Sequence, residues 1–123
     1  MSGFESVEIK NIEECGNEKW RIVLSVPLAS EYYSGHFDTF PILPAVAEID
    51  IIKNLTNLVR KKEIVVRMIK KTKFTSPVFP DREYAIELDY GKDGVIRFAF
   101  KDESGALSSQ GTLEYALWTD MDS

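Results

Sequence analysis

The chain has 123 residues, 44% apolar and 28% charged, with a net charge of −5, a balance that fits one soluble domain over residues 1–123 and excludes a disordered chain. No apolar run reaches the ~20 residues that span a bilayer, and the opening MSGFESVEIK lacks the basic-then-apolar order of a secretion signal. One cysteine and one histidine can neither form an internal disulfide nor make up a metal site, so a reducing cytoplasm is the expected location; the acidic balance argues against nucleic-acid binding.

In chain order, Phe4 to Glu14 alternates through Val7, Ile9 and Ile12 and predicts a strand that ends at a turn over Cys15, Gly16 and Asn17. Trp20, Ile22, Leu24 and Val26 alternate with polar or smaller residues, a half-buried strand stopped by Pro27. A short helical turn over Leu28 to Gly35 brings Tyr32 and Tyr33 toward His36, as packing residues, and the loop from Phe37 to Leu43 follows. Cys15, with no basic neighbour and no helix start, is given no role.

Pro44 suits a first helical position, because its missing N–H would be unpaired there anyway. The helix is read from Pro44 to Arg60, with Ala45, Ile49, Ile51, Ile52, Leu55, Leu58 and Val59 covering most of its circumference. Such a helix is enclosed on several sides. Asp50, Lys53, Asn54 and Asn57 share the remaining arc, which by periodicity alone is a solvent-facing polar stripe.

Strands then follow one another: Ile64 to Phe74, Tyr84 to Tyr90, Ile96 to Phe100 and Ala106 to Trp118, the last with Leu107, Leu113, Tyr115 and Leu117 on one face. Turns fall at Ser76 to Asp81, Gly91 to Gly94 and Asp102 to Gly105. One long apolar helix set among antiparallel strands predicts an α+β domain, a curved antiparallel sheet wrapped around its helix. Charge is uneven, with eight basic residues and one acid between Lys53 and Lys73. That stretch fits either a docking surface for an acidic partner or an edge strand guarded by lysines.

The sole histidine, His36, lies 14 positions before the helical carboxylate Asp50, and an imidazole with a carboxyl group makes a workable acid/base pair. The residues around them, Gly35-His36-Phe37, Phe40-Pro41-Ile42-Leu43-Pro44, Val46 and Asp50, together with Lys73-Phe74-Thr75-Ser76-Pro77-Val78-Phe79-Pro80-Asp81, resemble the hot-dog-fold β-hydroxyacyl-acyl-carrier-protein dehydratases of the FabZ and FabA type. The run Ala45 to Asp50 is especially similar to the dehydratase-like members of aryl-polyene pathways.

The resemblance implies a hot-dog fold, His36 and Asp50 as the catalytic pair, Asn54 in support and the Ala45 backbone N–H as donor to the thioester carbonyl. It implies an acyl tunnel for which Phe37, Phe40, Val46 and Ile49 are candidates. The substrate would be carried on the phosphopantetheine of an acyl carrier protein or coenzyme A, with no metal or redox cofactor. Arg60, Lys61, Lys62, Arg67, Lys70 and Lys71 are the candidate docking residues for an acidic carrier. Family sites lie at a two-fold interface, His from one subunit and the acid from the other, so a homodimer is implied, with higher assembly open. Ala45 stands where the family usually has Gly, Asp38-Thr39 where Pro-Gly is common, and Asp81 where Gly is frequent. A thioesterase of the same fold and a catalytically silent acyl-binding homologue are the alternatives.

Chemically, dehydration takes a proton from the carbon beside the carbonyl and expels hydroxide from the next. Imidazole can accept the first and a carboxyl can protonate the second. Burial of Asp50 among Val46 and Ile49 is expected to favour its protonated form.

Overall fold

The computed structural model describes residues 7–33 and 43–119. Strands β1 (Glu8–Gly16) and β2 (Lys19–Ser25) precede a 3-10 turn at Glu31–Tyr33. Helix α1 spans Ala45–Arg60, followed by β3 (Ile64–Phe74), β4 (Glu83–Lys92), β5 (Val95–Lys101) and β6 (Leu107–Leu117). All six strands form one sheet in the order β1-β2-β4-β5-β6-β3, antiparallel at every pairing. This is the α+β arrangement that the alternating strands and the single helix predict.

Period-two alternation turns Tyr84, Ile86, Leu88 and Tyr90 inward from β4, and Ile22, Leu24, Ile96 and Phe100 join them from β2 and β5. Opposite stand Ile51, Ile52 and Leu55 of α1, each no more than 2% exposed. Burying one such side chain stabilises the fold by about 1.5–3 kcal/mol, so the line where helix meets sheet dominates the packing.

Four expectations are corrected in detail. Strand β1 continues through Cys15 and Gly16, and the chain turns at Asn17 and Glu18, with Glu18 at φ 62°; the expected beginning of this strand, Phe4 to Ser6, lies outside the described residues. Pro44 is the N-cap, extended at ψ 150°, and Ala45 is the first helical residue. Leu58, read as part of the enclosed face, is 39% exposed. Leu107 is 37% exposed, because a register shift beside Lys101 places Ser109 opposite Phe100 and Leu107 opposite Lys101. One added residue in a strand breaks its alternation, which periodicity carried across the bulge cannot register.

Among the described residues, strand β3 pairs only with β6 and forms one edge of the sheet. Its pairing slips twice, between Val66 and Met68 and between Lys70 and Lys73, and Lys71 takes a left-handed φ of 50°. Opposite the second slip sits Gly111. A Cβ there would collide with the Thr72 hydroxyl and lie 2.8 Å from the Thr72 Cβ and 2.9 Å from the Phe98 ring. Phe98 is packed in the core, so β3 would have to move. Gly111→Ala is expected to destabilise the fold by about 1–3 kcal/mol, read as a lower denaturation midpoint; an unchanged midpoint would show that the bulge is free to yield.

Candidate active site

On α1, residues 46, 50, 53 and 57 form one stripe at helical spacing. The Asp50 carboxyl accepts two hydrogen bonds at one oxygen, Oδ2, from the Tyr32 hydroxyl at 2.6 Å and from the Asn54 amide at 3.2 Å. Lys53 Nζ lies 3.8 Å from the other oxygen, Oδ1. The Asn57 side chain accepts the Ile64 N–H at 3.0 Å, fastening the helix to the start of β3.

Asp50 is half-exposed, its side chain 43% accessible, so Val46 and Ile49 do not give it the expected enclosure. Ile49 is buried but Val46 is 76% exposed. The reason is rotational: Ala47, Ile51, Ile52 and Leu55 turn α1 toward the core, and the stripe headed by Val46 points the other way. Val46, Ile49, Asp50 and Lys53 line one side of an open groove of about 450 Å³, with Val66 and Trp118 also in its wall. Both described tunnel candidates, Val46 and Ile49, therefore meet Asp50 in one space. His36, Phe37 and Phe40 lie outside the described residues.

Ala45 is exposed at the head of the helix. With Pro44 outside the helix, the N–H groups of Ala45 and Val46 have no intrahelical acceptor, and the helix dipole makes such donors suited to an oxyanion. The Asn54 amide donates to the same oxygen as Tyr32.

Of the two neighbouring tyrosines, Tyr33 is packing, as expected: it is 4% exposed and donates its hydroxyl to the Val78 carbonyl at 3.2 Å, and burial pushes its ionisation up. Tyr32 differs, since its hydroxyl reaches a carboxylate 18 residues along the chain.

A second acid went unread in the sequence. Glu48 is 2% exposed and accepts the Ser109 hydroxyl at 2.6 Å; burial raises its pKa from 4.5 to about 7, with the Ser109 hydrogen bond pulling the other way. The available signal was spacing, because residue 48 shares the stripe of Ile52, Leu55 and Val59, the most enclosed line of the helix. Thr56 is buried likewise, bonded to the Ile52 carbonyl at 2.8 Å and to the Tyr90 hydroxyl at 2.9 Å.

The basic candidates divide. Arg60 is turned to Glu18 and lies over the Tyr90 ring at 5.0 Å, and Lys70 is paired with Glu114. Lys61, Lys62, Arg67 and Lys71 are exposed. Among the described residues, no three His, Cys, Asp or Glu side chains cluster as metal ligands would, and no helix is long and apolar enough to cross a membrane.

The model of the ApeI-like family, described as ApeI dehydratase, matches residues 11–112. No curated protein matches the chain. The dehydratase heterocomplex ApeI:P from Xenorhabdus doucetiae is 21% identical, with 88% of this chain and 96% of that one covered and a TM-score of 0.79. A protein from Erwinia carotovora subsp. atroseptica is 19% identical over 92% of this chain and 98% of its own, with a TM-score of 0.75. A hypothetical thioesterase from Streptococcus pneumoniae, solved with coenzyme A, is 14% identical over 94% and 88%, with a TM-score of 0.65. At such identities the likeness establishes the fold, which is the hot-dog fold.

Proposed function

The chain belongs to the ApeI-like dehydratase family, and from that premise we propose that it removes water from 3-hydroxyacyl thioesters to give trans-2-enoyl thioesters, in a biosynthesis of the fatty-acid type in the cytoplasm. The observation that carries this reading is Asp50: a carboxyl held by two donors at one oxygen, opening on a groove of mixed lining in which Val46, Ile49, Val66 and Trp118 stand beside Lys53 and Glu63. In the reaction, His36 takes the proton from the carbon next to the carbonyl. The electron pair forms the C=C bond, the C–O bond at the next carbon breaks, and Asp50 delivers a proton to the departing oxygen, which leaves as water. Donors at the start of α1, Ala45 N–H first, receive the charge that gathers on the thioester oxygen.

The same reading takes the protein as a homodimer. Met68 and Ile69 of the open edge β3 are 49% and 52% exposed, and Val46 and Trp118 at the groove are 76% and 58% exposed. A second copy laid over this side would cover them and complete the wall around Asp50. Lys61, Lys62, Arg67 and Lys71 are the cations available to an acidic acyl carrier protein or to the phosphates of coenzyme A; no further cofactor is needed.

The test supplies 3-hydroxyacyl thioesters on both carriers and follows product and thiol together. Formation of the 2-enoyl thioester without free thiol is the expected result, with one carrier turned over faster. Thiol release without enoyl product would replace this reading by thioester hydrolysis. Binding without turnover, with activity gained in Ala45→Gly, would make the protein a silent acyl binder.

A further inference from the structure

We propose that Tyr32 is a positioning residue that decides which oxygen of Asp50 works; the proposal rests on the dehydratase reading and adds to it a residue and a division of labour. Three observations converge on it. The first is how firmly the tyrosine is held. Its turn is closed by Ser30 N–H to the Pro27 carbonyl at 2.8 Å and Tyr33 N–H to the Ser30 carbonyl at 3.0 Å. Tyr32 N–H is bound by the Ser30 hydroxyl oxygen at 3.2 Å, the next residue is anchored in the core, and the Tyr32 ring itself packs against the core cluster. The hydroxyl is thus presented from a fixed base.

The second observation is the bond itself. At 2.6 Å it is short for an O–H···O hydrogen bond, whose usual separation is about 2.7–2.8 Å, and it is shorter than the Asn54 contact at 3.2 Å. The third is its asymmetry. Tyr32 and Asn54 both act on Oδ2. Among the described residues Oδ1 has only Lys53, at 3.8 Å, beyond hydrogen-bonding range. A carboxyl on a half-exposed helix face would otherwise rotate and offer either oxygen. Held in this way, it presents Oδ1 for the substrate and keeps Oδ2 occupied.

The same bond ties α1 to the turn that ends three residues before His36 in the sequence. Positioning of this kind acts on the rate constant more than on binding, because reacting groups lose about 10²-fold for small misplacements.

Tyr32→Phe removes one oxygen atom and keeps the packing ring. The expected result is a kcat lower by about 10- to 100-fold, with KM changed by less than about threefold and the melting curve close to that of the parent. In an Asp50→Ala background the same substitution is expected to cost nothing more, since there is no carboxyl left to hold. A role confined to packing would carry the same loss into both backgrounds and would overturn the proposal, as would an unchanged kcat for Tyr32→Phe in a protein that Asp50→Ala inactivates. Should Tyr32→Phe unfold, Asn54→Ala, which removes the other donor to Oδ2, serves in its place, with a smaller loss expected in the parent and none in Asp50→Ala. If Asp50→Ala leaves dehydration intact, the dehydratase mechanism fails first and the inference falls with it, an outcome distinct from the others.

Discussion

Alanine in place of His36 or of Asp50 is expected to lower dehydration of a 3-hydroxyacyl thioester by about 10²–10⁴-fold, the usual contribution of a general acid or base, while leaving the protein folded. Asp50 makes the expectation a sharp one because of where it sits. Its side chain is 43% exposed and its ion pair with Lys53 is long, so its removal costs the fold mainly the hydrogen bonds from Tyr32 and Asn54, about 1–3 kcal/mol. A collapse in rate with the fold retained therefore reports chemistry. The loss should appear in kcat, since the carboxyl acts on the breaking C–O bond and is not the main holder of the acyl chain. Full turnover by either variant would remove that residue from the mechanism; full turnover by both would leave the groove around Asp50 as a binding surface.

How much of this was legible in the residues depends on whether the cause was local. Strand β3 falls at Ile64–Phe74 and the helix within one residue of its expected start, because a β-branched run and a proline each state their preference without help from distant parts of the chain. The inward set Tyr84, Ile86, Leu88 and Tyr90 is a local alternation as well. Leu107 failed since the bulge that exposes it is set by pairing with β5. The edge position of β3 depends on the order of strands, and periodicity within one strand says nothing of that order. At the site, Asp50, Lys53, Asn54 and Asn57 form the arc that helical spacing gives, and the apolar wall beside them includes Val46 and Ile49. Tyr32 could not be assigned from its neighbours, because what distinguishes it from Tyr33 is a contact 18 residues away. Glu48 was readable in principle. Its stripe, shared with Ile52 and Leu55, is apolar, and a carboxyl on such a stripe is the one that the helix buries.

That buried carboxyl should make the stability of the protein fall as pH rises, opposite to a surface-paired acid. Burial holds the Glu48 pKa at about 7 against 4.5 in the unfolded chain, so between these values the native state keeps a proton that the unfolded state has released. The contribution is complete below the lower value and is lost as pH climbs through the upper one, amounting to roughly 3 kcal/mol. Glu48→Gln keeps the shape and an oxygen to accept the Ser109 hydroxyl, but cannot ionise. The difference in unfolding free energy between parent and variant should thus move by roughly 3 kcal/mol in favour of glutamine between pH 5 and pH 9. Using the difference cancels the other titrating groups, including Asp102, whose carboxyl is held low by the Ser104 hydroxyl in both proteins. Parallel stability profiles would mean that the carboxylate of Glu48 is solvated or neutralised by a partner when it ionises. A difference that moves as predicted would place between the helix and β6 a carboxyl that stays mostly uncharged below about pH 7.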